Sequence, residues 1–243
     1  MMHRFFVDTA LCDNAQIELD LKATQHAQAL RLREGDQIVI FNGQGGEYPG
    51  KIIFQGRKIR VLLGSYLQQE RKSLLHISLA QAMLSSEKMD WVVQKATELG
   101  VSQIMPFSAA RSNVKLDAMR SVKKLAHWKA VAQAACEQCG MNKIPIITET
   151  FSLPTLIANT QLSHMHRFTL AIGAKTPLYS QPKPKPNESA LIVIGPEGDF
   201  SPEELDLLDK ADFTRVSMGP RILRTETAGL AALATLNACW ELL

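Results

Sequence analysis

Two glycine-proline segments near the end of the chain carry the residue types best suited to hold a ligand. The first is Ile194-Gly195-Pro196-Glu197-Gly198-Asp199-Phe200, and the second is Ser217-Met218-Gly219-Pro220-Arg221-Ile222-Leu223-Arg224-Thr225-Glu226-Thr227. Glycine lets a ligand lie directly against the backbone, and proline holds the shape of a loop. Arg221, Arg224 and Glu226 add ionic groups to a tight turn. Either segment alone is compatible with a plain strand-to-helix turn. Neither reads G-x-G-x-x-G or the P-loop lysine motif, so dinucleotide and nucleoside-triphosphate sites are not indicated.

The elements that must position these loops follow from apolar periodicity. From residue 74 onward, strand and helix patterns alternate. Strands are expected at 75–80, 101–107, 144–148, 168–172, 190–194 and 213–217, with a helix through Met89, Val92, Val93, Ala96 and Leu99 that Gly100 ends. A longer helix carries Val122, Leu125, Trp128, Val131, Ala132, Ala135 and Cys139 on its apolar side. Ser201-Pro202-Glu203-Glu204 opens another helix with a capping box. Such alternation predicts an α/β domain with a mainly parallel sheet. In sheets of this kind ligands bind beyond the carboxyl ends of strands, where both glycine-proline loops fall. Residues 177–186 hold four prolines and read as an extended surface loop.

The first seventy residues read differently. Short strands are expected at 4–7, 37–41, 48–54 and 58–63, one helix at 24–32, and a hairpin turn at Gly43-Gln44-Gly45-Gly46. This describes a small β-barrel, with a polar linker at 68–73 and domains at 1–70 and 74–243.

Other clusters are weaker. Cys136-Glu137-Gln138-Cys139 lies inside a helical pattern without a second cysteine pair, and His164-Met165-His166 is spaced wrongly to complete a zinc finger, so structural thiols and no metal are expected. No G-x-S-x-G elbow occurs. Basic residues gather at Arg31, Arg33, Lys51, Arg57, Lys58 and Arg60, and again at Arg111, Lys115, Arg120, Lys123, Lys124 and Lys129. A solvated face explains such runs as well as a phosphate-contacting one does. If RNA binds, Arg31, Arg33, Arg111, Lys115, Lys123 and Lys124 are the candidates to touch it.

At 243 residues, 46% hydrophobic and 21% charged, the chain can bury a real core and is unlike a disordered segment. A net charge of +3 permits a nucleic-acid partner without requiring one. No run approaches the roughly 18 apolar residues of a membrane helix, and the first residues lack a signal-peptide core. Four scattered cysteines (Cys12, Cys136, Cys139, Cys239) read as reduced thiols. A cytoplasmic protein without a membrane partner is expected.

Four stretches in order along the chain carry a resemblance. They are Glu87-Lys88-Met89-Asp90-Trp91 with Gln94-Lys95-Ala96-Thr97-Glu98-Leu99-Gly100-Val101, Ala135-Cys136-Glu137-Gln138-Cys139-Gly140, Ile194-Gly195-Pro196-Glu197-Gly198, and the most specific, 219–228. With them the chain resembles the bacterial 16S ribosomal RNA (uracil(1498)-N(3))-methyltransferases of the SPOUT superfamily. Leu30-Arg31-Leu32-Arg33-Glu34-Gly35-Asp36 and Phe41-Asn42-Gly43 are similar to that family's PUA-like RNA-binding β-domain. Asp199 stands where the family commonly has a second glycine, and Met141 where an arginine is common. The segment Ile172-Gly173-Ala174-Lys175 lacks the His-Pro of some relatives.

The resemblance implies a SPOUT-type domain with a C-terminal trefoil knot, a homodimer, and 16S ribosomal RNA of the small subunit as partner. It implies S-adenosylmethionine as cofactor, held by knot loops at Ile172, Gly173, Ile194, Gly195, Pro196, Glu197, Gly198, Met218, Gly219, Ile222, Leu223 and Arg224. The uracil N3 proton has a pKa roughly two units above neutral, so presenting the anion costs only about 3 kcal/mol. A nearby cation and a modest proton acceptor suffice. Arg224 is the candidate cation, with Glu197 or Glu226 orienting it or taking the proton. The alternatives are a non-catalytic RNA-binding assembly factor and a transfer-RNA methyltransferase of the same superfamily.

Overall fold

The computed structural model describes residues 2–56, 58–71, 75–112, 118–158, 165–185 and 188–240. Arg57, Lys115, His164, Pro186, residues 72–73 of the expected linker and the side chain of Arg120 lie outside the described set. The chain divides into two compact units, Met1–Lys72 with Gln133–Ile144, and Ser73–Ala132 with Pro145–Leu243.

The first unit is a five-stranded sheet with one helix. Strands β1 (His3–Phe6), β2 (Gln16–Glu18), β3 (Gln37–Phe41), β4 (Tyr48–Gln55) and β5 (Lys58–Leu63) lie in the order β1-β3-β4-β5-β2, with helix α1 (Leu21–Ala29) after β2. Only the β1–β3 pair is parallel. Along β5 every second residue (Ile59, Val61, Leu63) is buried, and these pack with Phe5, Ile38, Ile40, Ile52 and Ala27 of α1. That alternation is the period-two signature of a half-buried strand. Residues 42–47 connect the antiparallel pair β3–β4, with positive φ at Gly43, Gly45 and Gly46, as expected of this turn. Strand β2 is too short to show a period in sequence. The segment 133–144, expected in the second domain, groups with this unit instead, because Cys136 and Met141 are buried with Phe41.

The second unit is a parallel sheet. Its strands are β6 (His76–Ala82), β7 (Gln103–Ser108), β8 (Ile146–Ile147), β9 (Phe151–Ser152), β10 (Met165–Leu170), β11 (Thr176–Pro177), β12 (Ser189–Ile194) and β13 (Thr214–Ser217). They run in the order β11-β13-β10-β12-β6-β7-β8, with β9 also on β7, and every recorded pair is parallel. The helices are α2 (Ser86–Glu98), α3 (Ala118–Cys139), whose residues from 133 onward group with the first unit, α4 (Leu153–Ala158), α5 (Pro202–Lys210) and α6 (Thr225–Cys239). Strands β6 and β12 are buried almost throughout, as a central strand covered on both faces must be. On one face Ala80, Leu191 and Val193 pack with Leu156, Leu208 and Phe213. On the other, α6 crosses β12 and β6 and packs along α2. Gly229 allows this approach, since a Cβ there would sit 3.2 Å from both Leu79 and Gln81 side chains.

Two further expectations differ from the structure. Residues 177–186 are not simply an extended surface loop. Thr176–Pro177 pairs as an edge strand with β13, and a single 3-10 turn, Leu178–Ser180, buries Leu178 completely beside α6. Proline is tolerated there because an edge strand needs no donor on its outer side. Val122 is not on the buried side of α3; it is 69% exposed. Apolar type alone does not reveal which side of a helix a neighbour covers.

Candidate active site

Three strand ends converge at the carboxyl edge of the parallel sheet. From β12 the chain turns at Gly195, where a Cβ would come within 2.9 Å of the Phe200 ring. Phe200 lies parallel to Phe107 at 6.4 Å between ring centroids, which anchors the far end of the turn in the core. Asp199 takes a left-handed conformation, φ 58°, and its carboxylate accepts from the Phe200 N–H at 2.8 Å. Glycine adopts that conformation without the Cβ strain that aspartate carries there. Helix α5 then starts on the expected capping box, Ser201 accepting from Glu204 N–H at 3.2 Å and Glu204 accepting from Ser201 N–H at 2.9 Å.

The second loop leaves β13 and passes Gly219, φ 99°, to Arg224, which begins α6. The Arg224 carbonyl accepts from the N–H groups of Thr227 and Ala228 at 2.9 and 2.8 Å, so its backbone caps the helix while its exposed side chain stays out of the capping. The third loop leaves β10 through Leu170 and Ala171 to Gly173, φ 81°. The first two are pinned together from within. Thr225 Oγ1 donates to the Gly195 carbonyl, and buried Gln81 at the end of β6 donates through Nε2 to Thr225 Oγ1 at 3.2 Å.

These loops enclose a cavity of about 720 Å³. Ile172 and Gly173 line it from the third loop, and Ile194, Gly195, Pro196 and Glu197 from the first. Met218, Gly219, Ile222, Leu223, Arg224 and Glu226 line it from the second. Gly198, expected among the ligand-binding residues, is not at the wall. It backs onto Arg111, whose guanidinium donates to the Gly198 and Phe200 carbonyls at 3.0 and 3.4 Å. Arg111, expected to touch RNA, braces the first loop while its side chain stays exposed.

The sequence reading assigned no role to Lys88 in the first turn of α2. Its ammonium contacts the Glu197 carboxylate and lies 3.4 Å from Glu226 Oε1, and it lines the cavity. The hydrogen bond to Glu197 and the nearness of Glu226 hold its pKa above the ordinary lysine value. The other Glu226 oxygen, Oε2, is buried without a partner among the described residues. Gln81 and Thr225 were also missed. A signal was present, since Lys88 falls in one of the resembling stretches, but spacing along the chain could not bring residue 88 to residues 197 and 226.

Elsewhere, Arg31, Arg33 and Lys123 are exposed and Lys124 is half-buried, while Lys58 and Arg60 are paired with Glu18. Burial pushes the Cys136 thiol up to about 12, which suits a structural rather than reactive role. Among the described residues no group of His, Cys, Asp and Glu could hold a metal ion, and no helix is long and apolar enough to cross a membrane.

A parallel sheet with a loop-built cavity at its carboxyl edge, in a chain that also carries a small β-sheet unit, defines a class. An RNA methyltransferase domain model matches residues 70–237, and an RNA methyltransferase PUA domain model matches residues 20–62. The ribosomal RNA small subunit methyltransferase E of Bacillus subtilis is 33% identical over 226 residues, covering 88% of this chain and 86% of that one. The Neisseria gonorrhoeae protein of the same name, crystallised bound to S-adenosyl methionine, superposes with a TM-score of 0.92 at 29% identity, covering 99% of this chain and 98% of that one. A Legionella pneumophila methyltransferase in complex with the cofactor SAM gives 0.90 at 34% identity, covering 98% of each chain. The chain belongs to the ribosomal RNA small subunit methyltransferase E family.

Proposed function

We propose that this chain is an S-adenosylmethionine-dependent methyltransferase of small-subunit ribosomal RNA, acting on N3 of one uridine in the 16S molecule. The observation that carries the reading is the cavity itself. Its volume of about 720 Å³ lies within the roughly 300–1,000 Å³ range of small-molecule and cofactor sites. Its wall fits the donor in chemistry as well as size. Leu170, Ile172, Ile194, Met218 and Leu223 offer apolar surface for an adenine, and the glycine turns expose backbone groups to its edge. Glu197 and Glu226 offer carboxylates to a cationic ligand, and the unpartnered Glu226 Oε2 is a buried acceptor in need of a donor. When bound, S-adenosylmethionine supplies an electrophilic methyl group on a sulfonium sulfur.

This chain's residues do the rest. The exposed guanidinium of Arg224 at the cavity wall stabilises negative charge developing on a uracil carbonyl, and Glu226 or Glu197 accepts the N3 proton. Transfer of that methyl to the deprotonated nitrogen would form the N3–CH3 bond, break the S–CH3 bond, and release neutral N3-methyluridine and S-adenosylhomocysteine. The base reaches the cavity flipped from its stack, while Arg31, Arg33, Lys123 and Lys124 contact backbone phosphates. The same surface charges would serve a transfer RNA, but the family relatives named above are ribosomal RNA enzymes.

Two further features belong to this reading. Strand β13 lies outside β10, yet α6 returns to β12 and β6 and also packs on the Leu178–Ser180 turn, a course that suits a trefoil knot threaded through the loop after β10. Thr227, Ala231, Ala234 and Ala238 form a small-residue row on α6 that stays partly exposed, which suits close packing of a second copy as a homodimer in the cytoplasm.

The test is direct. Calorimetry with S-adenosylhomocysteine should show one site per chain, and small-subunit RNA from a deletion strain should gain one N3-methyluridine, read by mass spectrometry, when the protein is added. Arg224→Ala should keep donor binding and lose transfer. A wild-type chain that binds no S-adenosylhomocysteine would overturn the enzymatic reading in favour of an RNA-binding assembly factor.

A further inference from the structure

Lys88 occupies a position that local helix chemistry disfavours. It is in the first turn of α2, where the helix macrodipole favours a carboxylate over a cation, and Ser85 before it makes no side-chain cap. Side chains in a helix lean toward its N-terminus, so the Lys88 ammonium reaches out past the start of α2. There it meets one carboxylate from each of two cavity loops, Glu197 from the loop after β12 and Glu226 from the first turn of α6. All three residues line the same cavity. A locally unfavourable residue with a specific compensating contact is the mark of a functional position.

We infer that Lys88 is a positioning residue of the donor site, an ionic clasp whose ammonium holds Glu197 and Glu226 together and so fixes the two loops that enclose the ligand. The inference rests on the reading of the cavity as a donor site. Without the ammonium, two carboxylates at one cavity wall repel one another. Glu197 is 43% exposed in its side chain, whereas Glu226 is only 15% exposed and is fixed by the start of α6, so the repulsion displaces Glu197 rather than Glu226. The first loop therefore loses its tie to α2 at the residue that faces the ligand. The Thr225–Gly195 hydrogen bond remains and holds the base of the loop, so the fold survives while the mouth of the cavity is no longer set.

The clasp acts before chemistry, which gives it a distinctive signature. Lys88→Met should weaken S-adenosylhomocysteine binding about tenfold, within the range of coupling between residues in one ionic network. Its melting temperature should stay within about 3 °C of wild type, as for a partly exposed substitution. In turnover with small-subunit RNA the KM for the methyl donor should rise, with kcat much less affected. Lys88→Arg, which keeps the charge, should restore most of the affinity.

If wild type binds the ligand and Lys88→Met binds it equally well, the clasp is wrong although the donor-site reading stands. A variant in which kcat collapses while donor affinity is unchanged would likewise overturn it, because Lys88 would then act in the chemical step. Failure of Lys88→Arg to rescue a weakened Lys88→Met would also sink it. If wild type itself fails to bind S-adenosylhomocysteine, it is the donor-site reading that falls.

Discussion

At Asp199 the backbone carries a conformation that most side chains resist. Its φ of 58° places Cβ against the following carbonyl, a strain of roughly 1–2 kcal/mol that aspartate tolerates better than most because its short polar side chain bonds locally. The 2.8 Å hydrogen bond from Phe200 N–H is that local bond. Asp199→Gly should therefore change stability by less than about 1 kcal/mol, relief of strain offsetting the lost bond and the added freedom of the unfolded chain. Asp199→Val should destabilise by more than about 2 kcal/mol, since a β-branched residue neither bonds nor fits there. Urea unfolding of both variants checks the ordering, and equal destabilisation would rule out backbone strain as the feature that distinguishes them.

Helix α5 is the element that ends the first cavity loop, and its start is overdetermined. Ser201 and Glu204 satisfy two backbone donors reciprocally, and Pro202 lies at the head of the helix, where a missing N–H costs nothing. Glu204 has a second duty that its place in the capping box did not reveal, because Oε1 also accepts from Ala110 N–H at 2.7 Å. Ser201→Ala should cost about 1 kcal/mol, the usual value of an N-cap. Glu204→Ala should cost more, because it leaves both the Ser201 and the buttressing Ala110 donors unpaired. Chemical denaturation measures both, and an equal cost for the two would deny Glu204 its second role.

At the scale of the whole molecule, the first unit closes on a buried ion network. Glu47, 4% exposed, accepts from Arg4 at 2.6 Å, from Arg71 at 2.9 Å and from Asn142 at 3.1 Å, so residues separated by up to 138 positions meet at one carboxylate. Burial alone would raise its pKa, but hydrogen bonds from Arg71, Arg4 and Asn142 outweigh it and hold the group at about 2 instead of 4.5. A folded-state value below the unfolded one contributes stability above pH 4.5, and that contribution is lost as pH falls from about 4.5 to about 2. Its size is about 3 kcal/mol. Wild type should lose about that much more unfolding free energy across this window than Glu47→Gln, which should itself be destabilised at pH 7 by leaving Arg4 buried and unbalanced. Parallel pH slopes in the two proteins would show that Glu47 is not the titrating group.

Residue types and local order alone determined the β-rich first unit, the strand–helix alternation, the hairpin at residues 42–47, the capping box of α5, and the two glycine-proline loops as ligand-binding candidates. Each is a short-range property: a period of two or of 3.6, a turn requiring positive φ, or a cap spanning three residues. Other features were settled only by the folded chain, namely the grouping of 133–144 with the first unit, the burial of Leu178, the exposure of Val122, the bracing of the first loop by Arg111 at Gly198 and Phe200, and the meeting of Lys88 with Glu197 and Glu226. These depend on which surfaces come together across long stretches of chain. Contacts of that kind arise from packing and from the crossing of α6 over β12 and β6, and no period or spacing along the chain encodes them.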